Sequence, residues 1–283
     1  MSPAVGATVG EAIRDATHRI GVDWARLDAE LLMAHALGCS RSDMLLRHMR
    51  DPAPGGFAGL LERRIADEPV AYIIGEAEFF GRRFTVNPDV LIPRIDSETV
   101  VNAALAAAPD PRRVLDCGVG SGCLLLTVLA ERSGAMGIGI DRAPQALAVA
   151  SRNAEGLGIA TRAELRQADW TMSGWAADLG RFDLVIANPP YVESEATLDA
   201  SVRDHEPHGA LFAGPDGLDD YRILIPQLPE LLAPGGAAVL EIGWRQAGAV
   251  TKLAKETGFD ALLTRDLADR PRALTLTYGD SYL

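Results

Sequence analysis

The sequence predicts an α/β protein: a parallel, doubly wound sheet with helices on both faces, preceded by a small helical unit and a linking β-hairpin. Three observations point there. From Arg112 onward, β-rich apolar runs alternate with helical patterns, the order that sets parallel strands around crossover helices. Residues 8 to 66 carry apolar positions at helical spacing instead. Between the two lies a short β-rich stretch punctuated by glycine. The expected divisions are a helical docking domain at 1–68, a hairpin linker at 69–92 and the sheet domain at 93–283.

The elements follow in order. Val9, Ile13, Ala16 and Ile20 recur at helical spacing, as do Leu27, Leu31, Leu32, Ala34 and Leu37, with Gly38 placed to cap the second helix. Asp51-Pro-Ala-Pro-Gly-Gly breaks the pattern, and Leu60, Leu61 and Ile65 indicate another helix. Val70-Ala-Tyr-Ile-Ile, Glu78-Phe-Phe and Arg83-Phe-Thr-Val are β-rich runs separated by Gly75 and Gly81, which reads as a hairpin. The sheet strands are expected at Arg113-Val-Leu-Asp, Met136-Gly-Ile-Gly-Ile-Asp, Ala163-Glu-Leu-Arg and Phe182-Asp-Leu-Val-Ile-Ala. Two later ones are Gly236-Ala-Ala-Val-Leu-Glu-Ile and Ala273-Leu-Thr-Leu-Thr. Leu124 to Arg132 and Pro144 to Leu157 supply the early crossover helices.

Composition narrows the function classes. Hydrophobic residues make up 48% of the 283 and charged residues 23%, ordinary globular usage that excludes a disordered chain. No uncharged apolar run approaches the roughly 18 residues of a membrane span. The N-terminal stretch has no basic start followed by an apolar run, so no secretory leader and a cytoplasmic setting are expected. Basic residues number 27 against 39 acidic, a net charge of −12. Phosphate-backbone binding draws on basic surface, so nucleic acid is disfavoured as the main partner. Three cysteines lack metal-ligand spacing and suit a reducing compartment. The five histidines are scattered, and no metal site is expected.

Ligands of such sheets sit beyond the carboxyl ends of the strands, and those ends carry the informative residues. The first reads Val114-Leu-Asp-Cys-Gly-Val-Gly-Ser-Gly-Cys-Leu. Gly118, Gly120 and Gly122 permit a tight strand-to-helix turn and close approach of a ligand to backbone, although a bare tight turn explains them equally. The spacing departs from G-x-G-x-x-G and lacks the G-K-[ST] ending of a phosphate loop, which suits a nucleoside better than a dinucleotide. The second end is Gly139-Ile-Asp141, about 20 residues beyond the loop, where a carboxylate can accept both ribose hydroxyls. Taken alone, Asp141 could be an exposed terminus or a helix cap. At the third end, Asp169 and Trp170 could bond the amino group of adenine and cover its face; a solvated acid beside a core aromatic is the plainer alternative.

The fourth end, Asn188-Pro189-Pro190-Tyr191, is the most informative. Two prolines after a buried strand stiffen the exit and remove two backbone donors, leaving carbonyls free to accept from a ligand. The Asn188 amide adds an acceptor and Tyr191 a flat wall, an arrangement suited to a planar NH2 group.

These residues resemble a class I S-adenosylmethionine-dependent methyltransferase acting on a planar nitrogen. Gly75-Glu-Ala-Glu-Phe-Phe-Gly, Leu91-Ile-Pro-Arg-Ile-Asp-Ser-Glu98, the run from Glu206 to Arg222 and Leu240-Glu-Ile-Gly243 extend the resemblance to the PrmC/HemK family, from about residue 9 to the C-terminus. That resemblance implies a Rossmann-like methyltransferase fold. The implied reaction is N5-methylation of the glutamine in the Gly-Gly-Gln motif of peptide chain release factors, with S-adenosyl-L-methionine as donor and a monomeric enzyme. By position, Gly118, Val119, Gly120, Ser121 and Gly122 would wrap the cofactor, Asp141 would bind its ribose, and Asp169 and Trp170 would meet adenine. Asn188 would touch cofactor and substrate, with Pro189, Pro190 and Tyr191 holding the glutamine amide. Arg94 and Glu98 match the I-P-R-P-[DE]-T-E segment near the active site, Arg94 as a substrate contact. Ile95 and Ser97 stand where the family usually has Pro and Thr, and Cys117 and Val119 depart from D-L-G-T-G. The competing functions are a diverged paralogue with another substrate, an adenine-N6 nucleic-acid methyltransferase, a non-enzymatic assembly protein and a nicotinamide-dependent enzyme.

Overall fold

The computed structural model describes residues 6–278; residues 1–5 of the N-terminal stretch and 279–283 of the expected 93–283 domain lie outside the described residues. The chain forms two compact units. One takes in the chain up to Glu76 together with Leu198–His205, the other Ala77–Thr197 and the chain from Glu206 on.

In the first unit, Thr8 caps the helix Val9–Ile20 through a capping box with Glu11, and Gly21 ends it in the left-handed conformation. The helix Ala25–Leu37 ends on Gly38 in the same way, and Phe57–Ile65 forms the third expected helix. Val9, Ile13, Leu32, Met33, Phe57 and Leu61 fill a common core. A short helix at Arg41–Asp43 running into a π-helical turn at Met44–His48 was not expected; Met44 anchors it in that core. The run Val70–Ile74 corrects the expected hairpin, because it is a helix and not a strand. Its unbroken apolar run carries no alternation to specify a strand. Pro69 sets its start, Gly75 at φ +81° ends it, and Ile73 is buried in the core.

The hairpin proper pairs β1 (Glu76–Phe79) with β2 (Arg82–Thr85). Its turn residues Phe80 and Gly81 both have positive φ, 52° and 69°, the backbone that matches strand twist in two-residue turns. Phe80 lacks the freedom of glycine there. Its N–H donates to Glu98 Oε1 at 2.7 Å, which ties the turn to the start of the helix Glu98–Ala107. Glu98→Ala is therefore expected to destabilise the protein by about 1–3 kcal/mol, with Glu98→Gln recovering most of it. Urea midpoints check this, and an unchanged midpoint in Glu98→Ala contradicts it.

The main sheet comprises β3 (Arg113–Cys117), β4 (Met136–Asp141), β5 (Ala163–Gln167), β6 (Phe182–Ala187), β7 (Leu232–Glu241), β8 (Phe259–Arg265) and β9 (Pro271–Tyr278), in the order β5-β4-β3-β6-β7-β9-β8. Strands β3 to β7 are parallel, as expected, and β9 runs antiparallel to both β7 and β8, so the sheet is mostly parallel with an antiparallel edge. The connection 266–270 is too short for a crossover and can join only antiparallel neighbours. Strand β8 was not expected; it lies at the sheet edge, where Leu262 and Leu263 remain exposed and no alternation marks a buried face.

Alternate residues of the central strands enter two cores. Val114, Leu184 and Ile186 pack with the helices Glu98–Ala107 and Cys123–Glu131, whereas Leu115, Val185 and Ala187 pack with Tyr221, Leu224 and Val250 on the opposite face. The register pairs Cys117 with Ile140 and Ala187, and Asp141 with Gln167. The four loops that leave these strands therefore open at one level.

Candidate active site

The loops at that level form one cleft. The N–H groups of Gly118 and Val119 both donate to the Ile140 carbonyl, at 2.9 and 2.8 Å, and turn the glycine loop over β4. Gly118 sits at φ +84°, and a Cβ there would lie 3.1 Å from the Trp170 ring, so the indole occupies the space a side chain would need. Gly120 donates to Asp141 Oδ2 at 3.0 Å and Ala143 to Asp141 Oδ1 at 2.9 Å. Each carboxylate oxygen is thus aimed by one backbone donor and keeps lone-pair capacity for another.

At the third strand end, the Trp170 indole N–H donates to Asp220 Oδ1 at 3.1 Å. Asp169 accepts from the Thr171 N–H and hydroxyl at 2.9 and 2.7 Å. Burial alone would raise the Asp169 carboxyl, and the Thr171 bonds together with the Arg142 charge reverse that, leaving it below its ordinary value. Burial pushes the half-buried Asp220 carboxyl up.

Asn188 follows β6 directly and faces the cleft, and its side-chain amide hydrogen-bonds to no group among the described residues. Pro189 and Pro190 supply no donors. Beyond Tyr191 the chain is tied down where the Val192 N–H donates to the Leu211 carbonyl at 2.8 Å and the Ala213 N–H to the Val192 carbonyl at 2.9 Å.

The structure brings together Arg94, Gly118, Val119, Gly120, Ser121, Asp141, Asp169, Trp170, Asn188 and Pro190 as cleft-lining residues. Gly122, Pro189 and Tyr191 lie off the lining. For Gly122 the reason is packing: a Cβ at its φ of +83° would meet Leu126 Cδ1 at 2.7 Å. Tyr191 is turned toward the buried Glu241, donating its hydroxyl to Oε1 at 3.2 Å. Burial and the Glu241 charge push the phenol well up, so it stays protonated.

Comparison with known proteins agrees with this geometry. Residues 11–75 match the family model for the PrmC N-terminal domain, and residues 110–261 that for a methyltransferase domain. A protein named release factor glutamine methyltransferase in Cereibacter sphaeroides is 43% identical over 276 residues, which is 94% of this chain and 96% of that one. Another in Caulobacter vibrioides is 42% identical over 271 residues, 93% of each chain. The chain belongs to the release factor glutamine methyltransferase family. Among solved structures, the hMettl16 catalytic domain in complex with the MAT2A 3′UTR hairpin 6 superposes with a TM-score of 0.56. It covers 78% of this chain and 83% of that one at 14% identity, a likeness of fold alone.

Several groups that shape the cleft of this release factor glutamine methyltransferase family member had no assigned role in the sequence. Glu206 is one such group, a buried carboxylate that pairs with the expected substrate contact Arg94 and accepts from the Ile92 N–H at 3.1 Å. Ser97, in the place of the usual Thr, is buried on the lining, whereas Ile95 is 74% exposed. Asp116, which precedes the glycine loop, is buried on the lining. Its Oδ2 accepts from the Leu125 N–H at 3.3 Å, and its Oδ1 has no partner among the described residues.

Burial pushes the Asp116 carboxyl up to about 8, with Asp141 adding to the rise, against an ordinary 3.8. The folded state therefore holds that proton more tightly than the unfolded chain, and folding loses stability as pH rises across the interval. Asp116→Asn keeps the shape and removes the titration. Its stability relative to wild type is expected to grow between pH 5 and pH 8 in urea titrations; a difference independent of pH contradicts this.

Proposed function

We propose that the chain transfers a methyl group from S-adenosyl-L-methionine to the side-chain amide nitrogen of the glutamine in the Gly-Gly-Gln motif of a peptide chain release factor. The observation that carries this reading is Asn188. Its uncommitted amide faces the same cleft as the glycine loop and Asp141, at the start of a proline-stiffened exit. The names of the relatives supply the substrate class.

The cleft fits the donor. Asp141 presents two oriented oxygens with capacity for the ribose hydroxyls, Trp170 and Asp169 offer a face and an acceptor for adenine, and the backbone from Gly118 to Ser121 is open to the methionine part. When bound, S-adenosylmethionine supplies a methyl group activated by its sulfonium.

An amide nitrogen is a weak nucleophile because its lone pair is delocalised into the carbonyl, so the chain's task is positioning. The Asn188 side-chain oxygen, on the cleft lining, would accept an amide N–H bond and hold the nitrogen in a near-attack orientation, which supplies several kcal/mol of barrier lowering. The same acceptor would stabilise positive charge on the nitrogen as its conjugation is lost. Arg94, held by Glu206 on the cleft wall, would meet the substrate. The surplus proton of the methylated nitrogen would pass to solvent water, the donor being left as the neutral thioether, so no general base is invoked.

A protein partner agrees with the net charge of −12, which opposes a phosphate backbone, and a release factor is met in the cytoplasm. Labelled methyl transfer to purified release factor, run beside an adenine-containing duplex at moderate salt, tests the substrate class. Label in the protein alone is expected; label in the duplex alone would replace this reading with an adenine methyltransferase.

A further inference from the structure

We infer that Glu241 and Gln246 are positioning residues that fix the Asn188–Tyr191 segment for transfer by holding Tyr191 at both ends. This rests on the function proposed above and assigns a task to two side chains outside the cleft.

The segment has an unusual mechanical problem. Strand β6 ends at Ala187, and Pro189 and Pro190 have no N–H with which to extend a ladder. The residue that would grip the substrate amide, Asn188, has no side-chain anchor of its own among the described residues. The nearest attachments downstream are both on Tyr191. Its hydroxyl donates to Glu241 Oε1 at 3.2 Å, and its carbonyl accepts from Gln246 Nε2 at 2.9 Å.

Both anchors are themselves fixed. Glu241 closes β7, is 1% exposed, and its own carbonyl accepts the Tyr221 hydroxyl at 2.7 Å. Gln246 Nε2 also donates to the Gly217 carbonyl at 3.1 Å, while Gln246 Oε1 accepts from the Gly243 N–H at 3.1 Å. Glycine is needed on both sides of this grip. A Cβ on Gly217 would come within 2.3 Å of the Tyr191 carbonyl oxygen, and one on Gly243 would sit 2.5 Å from Gln246 Oε1 and 3.3 Å from the Tyr191 ring.

Stability gives no reason for the carboxylate. Among the described residues Glu241 Oε2 has no hydrogen-bond partner, and an incompletely satisfied buried acid costs folding free energy that an apolar residue would not. Burial raises the Glu241 carboxyl, and Arg272, which only opposes that rise, is itself shared with Asp96 at 3.0 Å and Asp266 at 3.5 Å. Neither Glu241 nor Gln246 lines the cleft, so neither is placed to touch cofactor or substrate.

Steady-state methylation of release factor and cofactor affinity by calorimetry test the inference in Tyr191→Phe, Glu241→Leu, Glu241→Gln, Gln246→Leu and the Tyr191→Phe/Glu241→Leu pair. Tyr191→Phe, Glu241→Leu and Gln246→Leu are each expected to lower kcat about tenfold or more, with cofactor Kd within about twofold of wild type. The double variant is expected to be no slower than its slower parent, because both changes cut one link. Glu241→Gln keeps an acceptor oxygen and is expected to retain most activity. If Glu241→Leu does not fold, Tyr191→Phe and the half-buried Gln246→Leu decide the matter. Wild-type kcat in both overturns the inference, as do losses that multiply in the double variant or a Kd that weakens in step with kcat. A wild-type protein inactive on release factor overturns the proposed function as well, a result distinct from an active wild type with unaffected variants.

Discussion

Asn188→Ala is expected to leave a folded protein with normal cofactor affinity and to lower methyl transfer by about 10²–10³-fold, the size of effect seen when one preorganised polar contact to developing charge is removed. The physical basis is the division of labour in the cleft. Asp141, Trp170 and the glycine loop make their contacts at the ends of β4, β5 and β3, whereas Asn188 stands alone at the end of β6. Its amide gives nothing to the fold, since it holds no hydrogen bond among the described residues. Truncation therefore removes an acceptor for the substrate amide without unpairing any protein group. The effect should fall on kcat, because the acceptor matters most as nitrogen gains positive charge. A variant within about threefold of wild type, on a release factor that the wild type methylates, removes Asn188 from the chemistry.

Asp141→Ala is expected to act on the other half of the site, weakening S-adenosylmethionine binding by about 10²–10³-fold in calorimetry. Two hydrogen bonds to a charged acceptor contribute about 1.5–3 kcal/mol each net of exchange with water, and the predicted loss lies at the low end of their sum. The substitution also frees the N–H groups of Gly120 and Ala143, so the loop loses its tether to β4. Asp141→Asn retains one oxygen and should fall between the two. Thermal melts separate the causes: loosening of the loop lowers Tm, whereas loss of the ribose contacts appears in Kd alone. A Kd within about threefold of wild type in Asp141→Ala would place the ribose elsewhere.

How much of this was legible in the sequence depended on whether the information was local. β4 and β6 begin and end where their apolar runs do, because a strand buried on both faces carries a continuous hydrophobic signature. Val70–Ile74 has the same signature and became a helix, because its neighbours Pro69 and Gly75 and the core around Ile73 favoured a single turn. Strand β8 carried too little burial to mark itself, and its antiparallel pairing with β9 hid with it.

The site divides in the same way. The glycine loop, Asp141 and Asn188 sit at strand ends, and local position is enough to bring them to one cleft. Their supports are distant in the chain. Arg94 and Glu206 are 112 residues apart, Trp170 and Asp220 are 50 apart, and so are Tyr191 and Glu241. No spacing rule joins such pairs; only the folding of β6, β7 and the segment from Glu206 against one another does. Gly122 lies off the cleft lining, and its lack of a side chain makes room for Leu126.

The most direct test is peptide mapping by mass spectrometry of purified release factor after incubation with the protein and S-adenosylmethionine. One methyl group on the Gly-Gly-Gln glutamine, absent when Asn188→Ala replaces the wild type, is the predicted result. A methyl group on any other residue, or a release factor left unmodified by a protein that binds S-adenosylmethionine normally, would contradict the proposed function.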